Sequence, residues 1–380
     1  MAIFDHPGTP AAHALVIGVN DYPHLNGGSI GDSPVLQALG QLTSPVPSAE
    51  QFARWFTEDY SRSGVPRGSL RMLLSGGSYT APDGTVHAVP VPTRKNIDDV
   101  FAEWFAACSQ HKNNIALFFF CGHGIRTDAL YLLPEDAGSS PIKPWDACID
   151  FDLTLECMDR CTAETQCYFV DACQDRSSAI QARGKTLGSP LIDDDGSGTF
   201  SRRDCPVYSA LGPDQLAYGN AGSPSVFTNA LVQCLTRFGA SPVGSRNPWP
   251  VTTDSLKQAL AEWLDRTSQP GLPIALDPGG KVRFNKPLAS IKSPEVLGSV
   301  VVISSSPGAQ LAVELAPVPP GGSLFQGTPG ATAWRWEIPP GDYTLKASLP
   351  PSAAPVHQGA IQALPPVMAP IEISAPPVLP

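Results

Sequence analysis

Two runs, Ile115-Ala-Leu-Phe-Phe-Phe-Cys-Gly-His123-Gly124 and Cys167-Tyr-Phe-Val-Asp171-Ala-Cys173-Gln-Asp175, are apolar until each stops at a sharp polar turn. Short continuous runs rich in aromatic and β-branched residues predict strands buried on both faces. Ala14-Leu-Val-Ile-Gly-Val-Asn20 and Ser69 to Leu74 read as two more central strands. Helical spacing separates them. Ser48-Ala-Glu-Gln-Phe-Ala-Arg-Trp-Phe56 predicts a helix with Ser48 as its cap and Phe52, Trp55 and Phe56 on one face. Thr93 to Cys108 predicts another, with Ile97, Val100, Phe101, Trp104 and Phe105 on its stripe. A small strand at Leu130 to Leu133 and a helix from about Asp152 to Cys161 complete the alternation. That order predicts an α/β domain with a mostly parallel sheet flanked by helices.

The remaining stretches differ in character. Asp21 to Pro47 is rich in Gly, Ser and Pro and reads as a long surface loop; residues 174–205 lack any hydrophobic period and read as a mobile one. Pro206-Val-Tyr-Ser-Ala-Leu predicts a strand, Ser225 to Arg237 and Thr253 to Arg266 predict helices, and Pro273-Ile-Ala-Leu would close the sheet. From about Pro294 the pattern changes to alternating strands, Val300-Val-Val-Ile, Gln310-Leu-Ala-Val-Glu-Leu and Trp334-Arg-Trp-Glu-Ile, between Pro- and Gly-rich turns. This predicts a small antiparallel β-sandwich. The expected organisation is an α/β domain over 1–290, a β-sandwich interaction module over 295–350 and a Pro-rich, extended or disordered tail over 351–380.

Charge narrows the partners. A net charge of -10 leaves no basic surplus to neutralise phosphates, which excludes generic binding to nucleic acid or to an anionic membrane. The first residues lack the cationic start and long apolar stretch of a secretory signal, and no window approaches the ~18 apolar residues of a membrane helix, so a cytoplasmic protein is expected. Nine cysteines, an odd number, fit reduced thiols. Cys157 and Cys161 have the spacing of one helix face and read as buried thiols rather than metal ligands, so no metal site is expected.

Parallel strands place their carboxyl ends along one rim, where His123 and Cys173 can meet. Imidazole can take the proton of a thiol or stabilise the thiolate, the reactive form. The N–H groups of Gly124 and Cys173 can form an oxyanion hole. Each residue alone has an ordinary reading, a turn histidine beside glycine and a cysteine closing a buried strand. Their joint placement at two strand ends points to nucleophilic catalysis.

At these residues the chain resembles the caspase-like cysteine peptidases, specifically the bacterial relatives grouped with metacaspases. His123 stands fifty residues before Cys173, within Asp171-Ala-Cys173-Gln-Asp175. Ala14-Leu-Val-Ile-Gly-Val-Asn-Asp-Tyr22 resembles the family's first strand, while Tyr208-Ser209-Ala-Leu-Gly-Pro-Asp214-Gln-Leu-Ala-Tyr218 and Val226-Phe-Thr-Asn-Ala-Leu231 resemble its later strand, substrate loop and helix. The similarity covers roughly residues 12–285. It implies peptide-bond hydrolysis through a thioester, with His123 as base, Cys173 as nucleophile, the Gly124 and Cys173 amides as oxyanion donors and no cofactor. It also implies a pocket for a basic side chain on Asp171, with Ser209 and Asp214 contributing, because a carboxylate attracts Arg or Lys and repels Asp. No Arg or Lys precedes Arg54, so the arginine that aspartate-specific caspases carry after the first strand is missing. The expected substrate is a protein or peptide cut after Arg, or Lys second. Ser48 stands where metacaspases carry a second pocket acid, which leaves Asp21, Asp32 or Asp214 to supply one.

Arg183, Lys185, Arg202 and Arg203 lie in the stretch after the nucleophile and are candidate self-cleavage sites, by resemblance to the linker processed in caspases. The run Asp193-Asp-Asp-Gly raises Ca²⁺ activation, although it lacks the alternating ligand spacing of an EF-hand. The carboxyl-terminal module suits contact with a regulatory protein partner. A catalytically silent caspase-like scaffold and a thioester-forming transferase remain as alternatives.

Overall fold

The computed structural model describes residues 2–6, 8–31, 36, 39–175, 187–194, 196, 203–211, 221–243, 247–267, 275–277, 280–281, 284–292, 295–306, 310–350, 354–366 and 370–374; the side chains of 173–175, 210–211, 267, 275–277 and 280–281 lie outside that description. Two compact units emerge, Met1–Val232 with Trp263–Ala289, and Gln233–Glu262 with Ser290–Pro380.

The first unit is built on one sheet. Its strands are β1 (Ala2–Asp5), β2 (Ala12–Gly18), β3 (Arg67–Leu74), a side hairpin of β4 (Ser78–Thr80) and β5 (Val86–Ala88), β6 (Ile115–Arg126), β7 (Leu130–Leu132), β8 (Ile149–Asp150), β9 (Thr165–Asp175) and β10 (Cys205–Leu211). β12 (Ala275–Asp277) and β13 (Gly280–Lys281) return to it after β11 (Trp249–Thr252). The order is β1-β3-β2-β6-β9-β10-β12. The inner pairs β3–β2, β2–β6, β6–β9 and β9–β10 are parallel, whereas β1 and β12 close the edges antiparallel. β6 is buried along all but its last residue, as an unbroken apolar run in a doubly covered sheet requires.

Alternation assigns the two faces. Phe52 of α1 (Pro45–Arg54) stacks on Phe119 and meets Phe169 at a tilt, with ring centroids 4.8 and 5.3 Å away. The residues between point the other way: Phe118 meets Trp104 of α2 (Arg94–Cys108) and Phe151 of α3 (Phe151–Cys157). A Cβ on Gly18 would lie 2.9 Å from both Ala49 Cβ and the Pro45 carbonyl, so the bare glycine lets α1 sit close against β2. Thr93 caps α2 by accepting the Asn96 N–H.

Several expectations change. α1 starts at Pro45 rather than Ser48, since prolines suit a first turn whose N–H groups have no helical partner. Ser48 is therefore not the cap. The helix expected to reach Cys161 starts one residue earlier, capped by Asp150, and ends at Cys157, followed by a single tighter turn over Met158–Arg160. The loop from Asp21 is no mere surface loop: Tyr22, Leu25, Leu36 and Leu39 enter the core beside α2.

In the second unit, β15 (Gly298–Ser304), β18 (Ala333–Ile338) and β21 (Ile371–Ile373) form one sheet. β16 (Ala312–Val318), β17 (Phe325–Gln326), β19 (Gly341–Ser348) and β20 (Pro355–Ala363) form another; β14 (Pro287–Ile291) precedes them in the chain. Pairing is antiparallel except between β15 and β21. Val300, Val302, Leu315, Trp334 and Leu345 pack in the core that the sheets share. The Pro-rich stretch expected as a tail supplies β20 and β21, whose Ala363 and Ile373 are buried in that core. Proline is tolerated there because it begins a strand or lies between strands.

Candidate active site

β6 and β9 run in register from Ile115 opposite Thr165 to Ile125 opposite Asp175. The offset of fifty that separates His123 from Cys173 is this register. The two residues are direct partners on adjacent strands, on one face, with backbones about 4.8 Å apart. The side chain of Cys173 lies outside the described residues.

His123 is buried and held on two sides. Its Nε2 donates to the Gly40 carbonyl oxygen at 2.7 Å, and its backbone N–H donates to the Tyr22 hydroxyl at 2.8 Å. The Tyr22 ring lies 4.8 Å from the imidazole, centroid to centroid. With Nε2 carrying the proton towards Gly40, Nδ1 of the neutral ring is the nitrogen that bears the lone pair. A loop carbonyl thus sets the tautomer, a role usually given to a side chain.

Gly124 remains within the sheet, opposite Gln174 and Leu132. Val19 N–H, the Tyr22 hydroxyl and Leu133 N–H occupy the backbone of Cys121 and His123 from the β2 and β7 side. By alternation the Gly124 N–H turns into the seam between β6 and β9. It faces the strand carrying Cys173, and the last rungs are closed.

Asp171 is on the same strand face as Cys173, two residues earlier, and only 3% exposed. Its Oδ2 accepts the hydroxyls of both Ser225 and Thr228, the latter at 2.6 Å. Burial pushes its carboxyl upward, opposed by these bonds and by the Cys121 thiol. Ser225 also accepts the Thr228 N–H at 2.9 Å at the start of α4 (Val226–Gln233), and its own N–H donates to Ser48 Oγ at 3.0 Å. Ser48 is therefore one residue removed from Asp171. The position where the resemblance expects a second carboxylate borders the first one.

Other expected residues scatter. Ser209 is opposite Val170, so it faces the α2 side rather than the face of Asp171 and Cys173, and its buried hydroxyl has no partner among the described residues. Asp214 and Asp32 lie outside the described residues, as do Arg183, Lys185 and Arg202. Asp21 is exposed, with its N–H on Ser75. Arg203 is not an exposed cleavage site: it is 8% exposed, and its guanidinium donates to the Met158 carbonyl at 3.0 Å beside Asp159. Part of the expected mobile stretch is tied down, since Arg94 donates to the carbonyls of Ser189 and Pro190. The Asp193 carbonyl accepts from Arg160, Asp195 is outside the description, and no cluster of metal-ligating side chains occurs among the described residues. Burial raises the thiols of Cys157 and Cys161. No described helix is long and apolar enough to cross a membrane.

The model of the caspase domain matches residues 11–261, more than half of the chain. The chain belongs to the caspase family. Its central sheet and covering helices are the caspase-like fold. A curated relative, the uncharacterized protein y4kE of Sinorhizobium fredii (strain NBRC 101917 / NGR234), is 29% identical over 220 residues, which are 57% of this chain and 62% of that protein's length. Among solved structures, caspase-1 from Spodoptera frugiperda is similar at 11% identity and a TM-score of 0.38, over 77% of this chain and 96% of that one.

Sequence reasoning missed Gly40, Gln41, Ser225 and Thr228 as neighbours of the site. Tyr22 and Thr228 lie within motifs quoted for the resemblance. A carbonyl on a loop leaves no sequence signal.

Proposed function

We propose that this caspase-family chain is a thiol endopeptidase that cuts after Arg or Lys, using Cys173 and His123. The observation that carries the proposal is their direct pairing on adjacent strands, with Nε2 of His123 committed to Gly40. Cys173 Sγ gives its proton to Nδ1 and attacks the scissile carbonyl carbon; the oxyanion draws on the Gly124 and Cys173 amides, which requires the last β6–β9 rungs to part. His123 then returns the proton to the leaving amine, and water hydrolyses the thioester. The Gly40 carbonyl stabilises the transient imidazolium through a charge-assisted bond.

The basic preference is supported by Asp171, a buried carboxylate whose partners among the described residues are hydroxyls and a thiol rather than a cation. A substrate guanidinium or ammonium supplies the missing counter-charge. Self-processing is proposed at Arg183, Lys185 or Arg202, and a regulatory partner is proposed for the β-sandwich. Fluorogenic peptides ending in Arg, Lys and Asp, with and without Ca²⁺, test the whole reading. Hydrolysis of the first two, lost in Cys173→Ala, is expected. Turnover of the Asp peptide alone refutes the pocket, and no turnover of any peptide supports the silent scaffold.

A further inference from the structure

We infer that Tyr22 and Gln41 form a clamp that positions His123, a role that rests on the dyad reading above. The need for it is visible in the sheet. β2 ends at Gly18, opposite Cys121, and Val19 N–H takes the Cys121 carbonyl. Beyond that point β6 has no β2 backbone beside it, and the His123 N–H requires another acceptor. The Tyr22 hydroxyl fills the place, accepting from His123 and donating to the Leu133 carbonyl at 3.3 Å. Leu133 N–H binds the His123 carbonyl in turn, so Tyr22 closes a ring of bonds around the residue. Gly122 makes room: a Cβ there would lie 2.8 Å from the hydroxyl and 3.1 Å from the Phe120 ring.

Gln41 links this grip to the other one. Its Oε1 accepts the Tyr22 N–H at 2.8 Å, and its Nε2 donates to the Tyr22 and Asn26 carbonyls at 2.9 and 3.1 Å. Gln41 directly follows Gly40, whose carbonyl holds the imidazole. One side chain therefore fixes the spacing between the hydroxyl on the His123 backbone and the carbonyl on its ring. Tyr22 is fully buried, while Gln41 is exposed, so polar bonding rather than packing accounts for the placement of Gln41. Releasing the clamp lets the ring leave Gly40, which weakens the imidazolium and with it the thiolate of Cys173.

The test combines peptide kinetics with iodoacetamide alkylation of Cys173 from about pH 5 to about pH 9, which reads the thiolate without any substrate. Cys173→Ala gives the background of the other thiols. Tyr22→Phe and Gln41→Ala are each expected to lower kcat about tenfold, leave KM within about twofold, and move the alkylation inflection up by about one pH unit. Gln41→Ala should keep its Tm within about 2 °C, because it truncates an exposed side chain. Should Tyr22→Phe not fold, Gln41→Ala alone decides. A low inflection in the wild type that neither variant moves overturns the clamp and leaves the dyad standing. A wild type with no low inflection overturns the dyad and the clamp together.

Discussion

The first unit buries a histidine at each end of its sheet, and the two have opposite surroundings. His13, near the start of β2, has Nδ1 on Ser69 Oγ at 2.9 Å, and the Arg71 guanidinium donates to the same hydroxyl. Arg71 is anchored by Asp5 and Glu103 at 3.0 and 3.2 Å. Burial first, and the neighbouring guanidinium second, lower the His13 pKa to about 4. A ring so reluctant to take a proton is a poor base near neutrality. His123, at the far end of β6, meets a backbone carbonyl instead of a cation, and Cys173 is its partner across the seam. Burial alone therefore does not fix what a histidine can do; the charge of what it faces matters as much.

Exchanging each histidine in turn should break the comparison most sharply. His123→Ala is expected to lower peptide hydrolysis by about 10²–10⁴-fold, a loss larger than any accompanying fall in Tm explains. His13→Gln, which keeps a polar group for Ser69, should leave kcat within about twofold and lower Tm. Reversed outcomes in parallel kinetics and thermal melts would exchange the two roles.

Acid should separate the two ends next. The folded state resists protonating His13 while the unfolded chain accepts it at about 6.5. Its stabilising contribution is thus complete above about pH 6.5 and is lost as pH falls towards about 4, below which this group adds no further slope. Two and a half pH units correspond to a loss on the order of 3 kcal/mol. Urea melts across that window should show the slope, and His13→Gln should flatten it.

The smallest effect belongs to the hydroxyl network. Ser48→Ala removes the acceptor of a buried Ser225 N–H and should cost about 1 kcal/mol, read as a shift in the urea midpoint. If Ser225 holds Asp171 for a basic substrate, KM for the Arg peptide should rise by a few fold with kcat nearly unchanged. A midpoint and KM both unmoved would show that Ser48 contributes nothing to either.

The central strands are legible because an apolar run of fixed period has one favourable arrangement in a covered sheet. Thr93 and the stripe of α2 are legible for the same local reason. The start of α1 at Pro45 is not legible because Ser48 has the chemistry of a cap, yet its hydroxyl is taken by Ser225, 177 positions away. The strands after residue 350 were hidden by their proline content, although Ala363 and Ile373 do enter a core. Arg203 looked like a solvent-exposed cation and is buried against Met158.

By itself, the sequence determined that two buried strands carry a histidine and a cysteine fifty residues apart, and that a carboxylate precedes the cysteine by two. These follow from local period and from residue chemistry. The turns expected directly after His123 and Cys173 are absent, since β6 runs on to Arg126 and β9 to Asp175. Only the tertiary structure decided that fifty is the β6–β9 register, that Gly40 holds the imidazole ring, and that Tyr22 and Gln41 stand behind it. Hydrogen bonds between a loop and a strand eighty to a hundred residues apart in the chain carry no periodicity, so nothing in the linear pattern announces them.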